Sequence, residues 1–191
     1  MITFDFGFGR VPAHQHPNGG GWVADSASVA PTVSVGPDAR IGGNAWIEGN
    51  ARIGGDAQIG GNAWIEGNAW IEGDAWIEGD AWIEGDAQVW GNARIGGDAR
   101  IGGDAWIEGN ARIGGNAEIK SSRDYLILGP IGSRDAILTW TRSDNSICTG
   151  CFRGTVTEFL RAVKDTHVDN AHAQAYRAAV RFIRAYAKVT P

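Results

Sequence analysis

Residues able to do chemistry are few in this chain of 191 residues, which holds two cysteines and four histidines. Cys148-x-x-Cys151 is followed after fifteen residues by His167 and after four more by His172. That spacing falls within a Cys2His2 zinc site, where two thiolates and two imidazoles close a tetrahedron around one ion. It also has a plainer reading, two small buried thiols and two histidines at helix ends. A finger of this type keeps both histidines on one helix, whereas Val168-Asp169-Asn170 reads as a break, and Phe159 and Leu160 miss the usual core spacing. Cys151 with His167 has the composition of a nucleophile and its base. His14-x-His16 has the same two readings, a metal pair or ordinary loop polarity.

These residues lie outside the most regular part of the chain. From Val23 to Ile119 a Val or Ile recurs at every sixth position, seventeen times in succession. Two residues before it stands a small residue, Ala in every unit from Ala39 to Ala117, and from Ile41 to Ile113, two residues after it stands Gly. Such repetition means that each unit cannot bury its apolar side alone and must stack on its neighbours. In Ala63-Trp64-Ile65-Glu66-Gly67-Asn68, Ala and Ile are two apart, so an extended backbone sends both inward and Trp64 and Glu66 outward. Gly-Asn and Gly-Asp supply residues that tolerate positive φ at a tight corner. A helix is excluded, because a six-residue repeat drifts across the 3.6-residue period and each interior Gly would cost about 1 kcal/mol. Single corners rather than hairpins predict a coil whose successive turns pair in parallel.

Around the repeat, Ile2, Phe4, Phe6 and Phe8 alternate with Thr3, Asp5 and Gly7, which predicts a strand capping the open end of the coil. A polar loop from Pro12 to Gly21 follows. Past Ile119 the corners are broken by Lys120 to Arg123, and Tyr125 to Ile131 is a last apolar run at the end of the coil. Ala136 to Arg142 and Ser146 to Gly150 read as strands joined by Ser143-Asp144-Asn145. Thr155 and Glu158 are spaced as a capping box for a helix ending near His167. A second helix from about Asn170 aligns Tyr176, Ala179, Val180, Ile183 and Ala187. The division is thus a capping strand and loop in residues 1–21, a coil in 22–132 and a small α+β cap in 133–191.

The unit Ile-x-Gly-(Asn/Asp)-Ala-x resembles the hexapeptide repeat of left-handed parallel β-helices. The resemblance implies three hexapeptides per triangular coil of about eighteen residues, hence five to six coils. It also implies a homotrimer about an axis parallel to the coil. Enzymes of that superfamily are acyltransferases with a His base, or carbonic anhydrase-like proteins with three His on zinc. Between Gly21 and Ile119 this chain has neither His nor Cys. Gly129-Pro-Ile-Gly-Ser-Arg134, Gly150-Cys-Phe-Arg-Gly-Thr155, Glu158-Phe159 and His167 resemble the tail of YdcK-like hexapeptide-repeat proteins of phages and bacteria. The entry Gly19-Gly-Gly-Trp-Val-Ala-Asp25 resembles theirs as well. That group implies a fold and no established activity.

Folded at about eighteen residues per coil, the exterior sorts into columns. Trp46, Trp64 and Trp82 share one, beside Glu48, Glu66 and Glu84. A second reads Arg40, Gln58, Trp76, Arg94, Arg112, and a third Arg52, Trp70, Gln88, Trp106. Exterior Trp in such number marks an interaction surface, with another copy or with a small molecule held between subunits. The favoured function is therefore a non-catalytic, homotrimeric scaffold or binding module. The alternatives are an acyltransferase-type enzyme and a zinc-stabilised adaptor. No cofactor is expected apart from zinc on the Cys/His set. With net charge −5 and no long apolar run, neither nucleic acid nor a membrane is expected as partner, and the protein reads as cytoplasmic with reduced thiols.

Overall fold

A computed structural model describes residues 2–7 and 9–189. Its body is a parallel β-solenoid built from short strands, β3 (Trp22–Ala24) through β19 (Glu118–Ile119), laid on three faces of six, six and five rungs. Each strand pairs in parallel with the strand eighteen residues on, so that Trp64 meets Trp82 and Ile65 meets Ile83. Every Ala and every Ile or Val of the repeat from Ala39 to Ile119 is buried. Each fully buried Ile contributes roughly 1.5–3 kcal/mol, and these residues line a single thin core running the length of the coils.

The corners divide their labour. Positive φ falls on the glycines alone, as at Gly67 (φ +75°), whose missing Cβ would stand 2.6 Å from the carbonyl oxygen of Gly85 in the next coil. Asn and Asp do not take that conformation; they form ladders, Asn62 donating to Asp80 at 2.8 Å and Asn68 to Asp86 at 2.9 Å. The glycine is thus required twice, by its backbone angle and by the stacking distance.

At the N-terminal end, β1 (Thr3–Asp5) and β2 (Arg10–Gln15) form an antiparallel hairpin that continues the sheet of the first face through β3. The expected polar loop is therefore partly strand. The hairpin does not lie across the coil end: Phe4 stacks on Trp22 at 4.6 Å, and Phe6 packs with Ala13 and Ala24 and approaches Gly42 on the outside of the first face. Ile2 is exposed, and Phe8 lies outside the described residues. The third face is closed by the segment after β2, where Val35 N donates to Asn18 O and Gly21 N to Val35 O.

The C-terminal domain has a core of its own. The run Tyr125–Ile131 forms β20, which joins β21 (Ala136–Thr141), β22 (Ser146–Thr149) and β23 (Phe152–Thr155) in an antiparallel sheet and is not part of the coil. The strand β23 was not anticipated. Helix α1 (Val156–His167) starts on the expected capping box, Thr155 accepting from Glu158 N while the Glu158 carboxylate accepts from Thr155 N. Helix α2 (Ala171–Val189) starts where Asn170 accepts from Ala173 N. Leu138, Trp140, Ile147, Phe159, Tyr176 and Ile183 centre this second cluster.

Each solenoid face ends in backbone N–H groups that, in earlier coils, donate to the next coil. In the last coil a hydroxyl accepts on each face: Thr139 from Arg112 N at 3.0 Å, Ser143 from Glu118 N at 2.7 Å and Tyr125 from Glu108 N at 3.4 Å. The C-terminal domain is thus a lid that terminates the ladders, which leaves fewer open strand edges for another chain to pair with. No helix among the described residues is long and apolar enough to cross a membrane.

Candidate functional site

The columns expected from the repeat are present, and their surroundings differ. On the second face the rings of Trp46 and Trp64 stack 5.5 Å apart and those of Trp64 and Trp82 5.7 Å apart, with the Arg100 guanidinium 5.8 Å from the Trp82 ring. Both faces of the Trp64 ring are therefore covered by neighbouring indoles, and the ladder turns its ring edges outward. A nucleobase or sugar has no open ring face to lie on in the middle of this column. The indole N–H of Trp46 donates to Glu48 at 3.1 Å and that of Trp64 to Glu66 at 3.3 Å. Trp46 remains 46%, Trp64 39% and Trp82 37% exposed.

On the third face Arg52 lies 5.8 Å from the Trp70 ring, Trp70 packs against Trp90 at 4.8 Å, and Trp106 is half exposed. Trp90 occupies a slot that from Gly36 to Gly114 otherwise holds Glu or Gly. Its indole N–H is buried without a hydrogen-bond partner among the described residues.

The first face is partly occupied at both ends. Arg40 lies over Phe4 of the hairpin at 5.7 Å and so belongs to the N-terminal closure rather than to an open column. Arg94 lies over Trp76 at 5.7 Å, and Arg112 donates to Gly150 O at 3.1 Å. Arg94 and Arg112 meet Arg153 and Cys148 of the C-terminal sheet around a cleft of about 340 Å³. Arg153 had no repeat signal to announce it.

The proposed zinc ligands do not converge. Cys148 lines the arginine cleft, whereas Cys151, which is exposed, lines a separate hollow with Phe159, His167 and Tyr176. The His167 and His172 rings lie 5.7 Å apart across the turn between the helices. No group of three or more His, Cys, Asp or Glu placed to hold a metal ion occurs among the described residues. The physical reason is the sheet: alternation along β22 and the turn after it sends the two thiols to different sides. Burial pushes the Cys148 thiol up, with the Arg153 and Arg112 guanidiniums pulling it partly back. The other His-x-His pair is likewise divided. His14 faces Asp25 at 2.8 Å near the surface, and His16 is buried, its Nδ1 3.3 Å from Asn18 N.

The chain is thus a parallel β-solenoid of about five coils with an antiparallel sheet and two helices at its C-terminal end. No family model, no curated protein and no solved structure matches it.

Proposed function

We propose that the protein is a non-catalytic binding scaffold of the hexapeptide-repeat, left-handed β-helix kind that assembles as a homotrimer. The indole ladder of the second face meets the third face of the next copy. The observation that carries this reading is the ladder itself, three neighbouring indoles in one column, Trp46 and Trp64 stacked and Trp82 tilted against Trp64, each still more than a third exposed. With the indole N–H groups of Trp46 and Trp64 already bonded to Glu48 and Glu66, the stripe can be dehydrated without orphaning those donors. Its exposed area, on the order of 300 Å², is worth about 7 kcal/mol before association costs. A stable interface needs about 800 Å² per partner, and tryptophans characteristically form its energetic centre.

The choice of the third face follows from occupancy. The hairpin and the C-terminal sheet crowd the first face, while Trp106 and Arg52 leave the third face aromatic and cationic opposite the row of carboxylates beside the ladder. A face meeting a different face closes into a three-membered ring when each copy is turned by a third of a revolution about the coil axis, the arrangement proposed here. The YdcK-like motifs in the entry and tail of the chain accord with this reading, because that group supplies a fold without an assigned reaction.

Mass photometry and light scattering at micromolar concentration test it. The wild type is expected as a trimer, and Trp46→Gln/Trp64→Gln/Trp82→Gln as a monomer with an unchanged circular dichroism spectrum. Added salt alone should not dissociate the trimer, because the apolar area outweighs the exposed charge pairs. A monomeric wild type refutes the assembly.

A further inference from the structure

The cleft on the first face gathers charge in a way that the repeat does not require. Arg94 and Arg112 come from successive coils, and Arg153 comes from β23 of the C-terminal sheet. All three are held in place. Arg94 lies over the Trp76 indole, Arg112 is bonded to Gly150 O, and Arg153 rests on the corner at Gly114 and Gly115, where a Cβ at Gly114 would overlap its guanidinium. None of the three stands within ion-pair distance of a carboxylate in the ion pairs formed among the described residues. Glu78 is the single carboxylate lining the cleft.

A chain with net charge −5 thus draws three guanidiniums around a hollow of about 340 Å³. Arginine stays protonated in proteins, so the mutual repulsion cannot be relieved by loss of a proton. It is relieved by an anion, and a guanidinium fork matches phosphate oxygens two at a time. The adjacent Cys148 thiol remains neutral in this setting, since burial opposes the thiolate, and so does not supply the missing negative charge. Trp76 adds an apolar wall beside the cations, suited to the organic part of a ligand rather than to a bare ion.

We propose that this cleft is a binding site for a small phosphate monoester, its phosphate held by Arg94, Arg112 and Arg153 and its organic part against Trp76. The site is formed within one chain, so it does not depend on the trimer.

Calorimetric titration with inorganic phosphate and with phenyl phosphate tests it on the full chain. Phenyl phosphate is expected to bind below about 1 mM and more tightly than inorganic phosphate. Arg94→Gln/Arg153→Gln should weaken both by at least tenfold, and Trp76→Gln should weaken phenyl phosphate more than inorganic phosphate, the smaller loss for the bare ion reflecting the support Trp76 gives to Arg94. Arg112 is left in place because it also joins the lid to the coil. A second measurement guards against a variant that misfolds. In a Cys151→Ser background, at an alkaline pH at which part of Cys148 is ionised and its alkylation can be followed, phenyl phosphate should slow reaction of Cys148 with iodoacetamide, and chloride at the same ionic strength should not. Absence of binding at millimolar concentration, undiminished binding by the double arginine variant, or alkylation of Cys148 unaffected by saturating phenyl phosphate overturns the site. Equal affinity for inorganic and phenyl phosphate overturns the ester.

Discussion

In the coils, nearly every buried side chain stands between residues of its own kind, Ile77 pairing with Ile59 on one side and Ile95 on the other. In the C-terminal domain, Trp140 shares its cluster with Leu138 and Ile147 of the sheet, Phe159 of α1 and Tyr176 of α2, no two alike in setting. The first region is close to one-dimensional, since a coil knows only the coil above and the coil below. The second is an ordinary core in which distant segments meet. The contrast teaches where a repeat array needs irregular sequence, namely at its ends. There the ladder runs out of partners, and Tyr125, Thr139 and Ser143 supply oxygen atoms that another coil would have supplied.

The sharpest way to break this contrast is Ile77→Asp. A carboxylate would be placed without a partner in a fully buried slot, costing upwards of about 4 kcal/mol in lost apolar burial and desolvation. Hydrogen exchange should show the coils around residue 77 opened, while α1 and α2, built on the other core, retain more protection. Trp76→Gln, one residue away and facing outward, should leave the melting curve of the fold nearly unchanged. If the tryptophan change melts the coil and the isoleucine change does not, the faces are assigned the wrong way round.

A smaller effect is expected at the junction. Tyr125→Phe, Thr139→Val and Ser143→Ala each remove an acceptor from an edge N–H, at roughly 1–3 kcal/mol where the group is shielded from water and less where water replaces the hydroxyl. The triple variant should lose stability in urea denaturation and exchange the amides of Glu108, Arg112 and Glu118 faster, with greater aggregation from the bared edge. Unchanged exchange at those three amides would show that the lid does not terminate the ladders.

The smallest expected change lies wholly within the C-terminal domain. Thr155→Ala removes the N-cap of α1 and should cost about 1 kcal/mol. Bonds from Thr155 N–H and Oγ hold the Glu158 carboxyl below its ordinary range. With the folded value lower than the unfolded one, this contribution is present above the ordinary glutamate range and is lost as pH falls through the lowered value. Thermal melts of wild type and variant should therefore differ most near neutrality and less on the acid side, where the Oγ–carboxylate bond is lost while the cap on Glu158 N persists. Equal separation at every pH would show that the Thr155 hydroxyl does not bond the Glu158 carboxylate.

Much of this was legible in the residues. The inward Ala and Ile and the outward Trp and Glu follow from period and alternation, the columns of Trp46, Trp64 and Trp82 from the eighteen-residue coil that the hexapeptide-repeat resemblance implies, and the capping box of Thr155 and Glu158 from local spacing. The N-terminal strand was legible as a strand, but its partner β2 was hidden in a stretch of His, Gln and Pro whose polarity suggested a loop. The second face was legible as a column, whereas the packing of its rings, which sets Trp64 between two indoles, depends on side-chain geometry that spacing does not specify.

The repeat alone determined that the chain winds into stacked coils and which side of each strand is buried, because every unit obeys the same nearest-neighbour rule and the period counts out the neighbours. Tertiary structure alone decided that β20 belongs to the lid and that Arg153 meets Arg94 and Arg112. It likewise decided that Cys148 and Cys151, three residues apart, face different hollows. These are meetings between segments with no shared period, settled by how two separate cores are packed against each other, and no count along the chain encodes them.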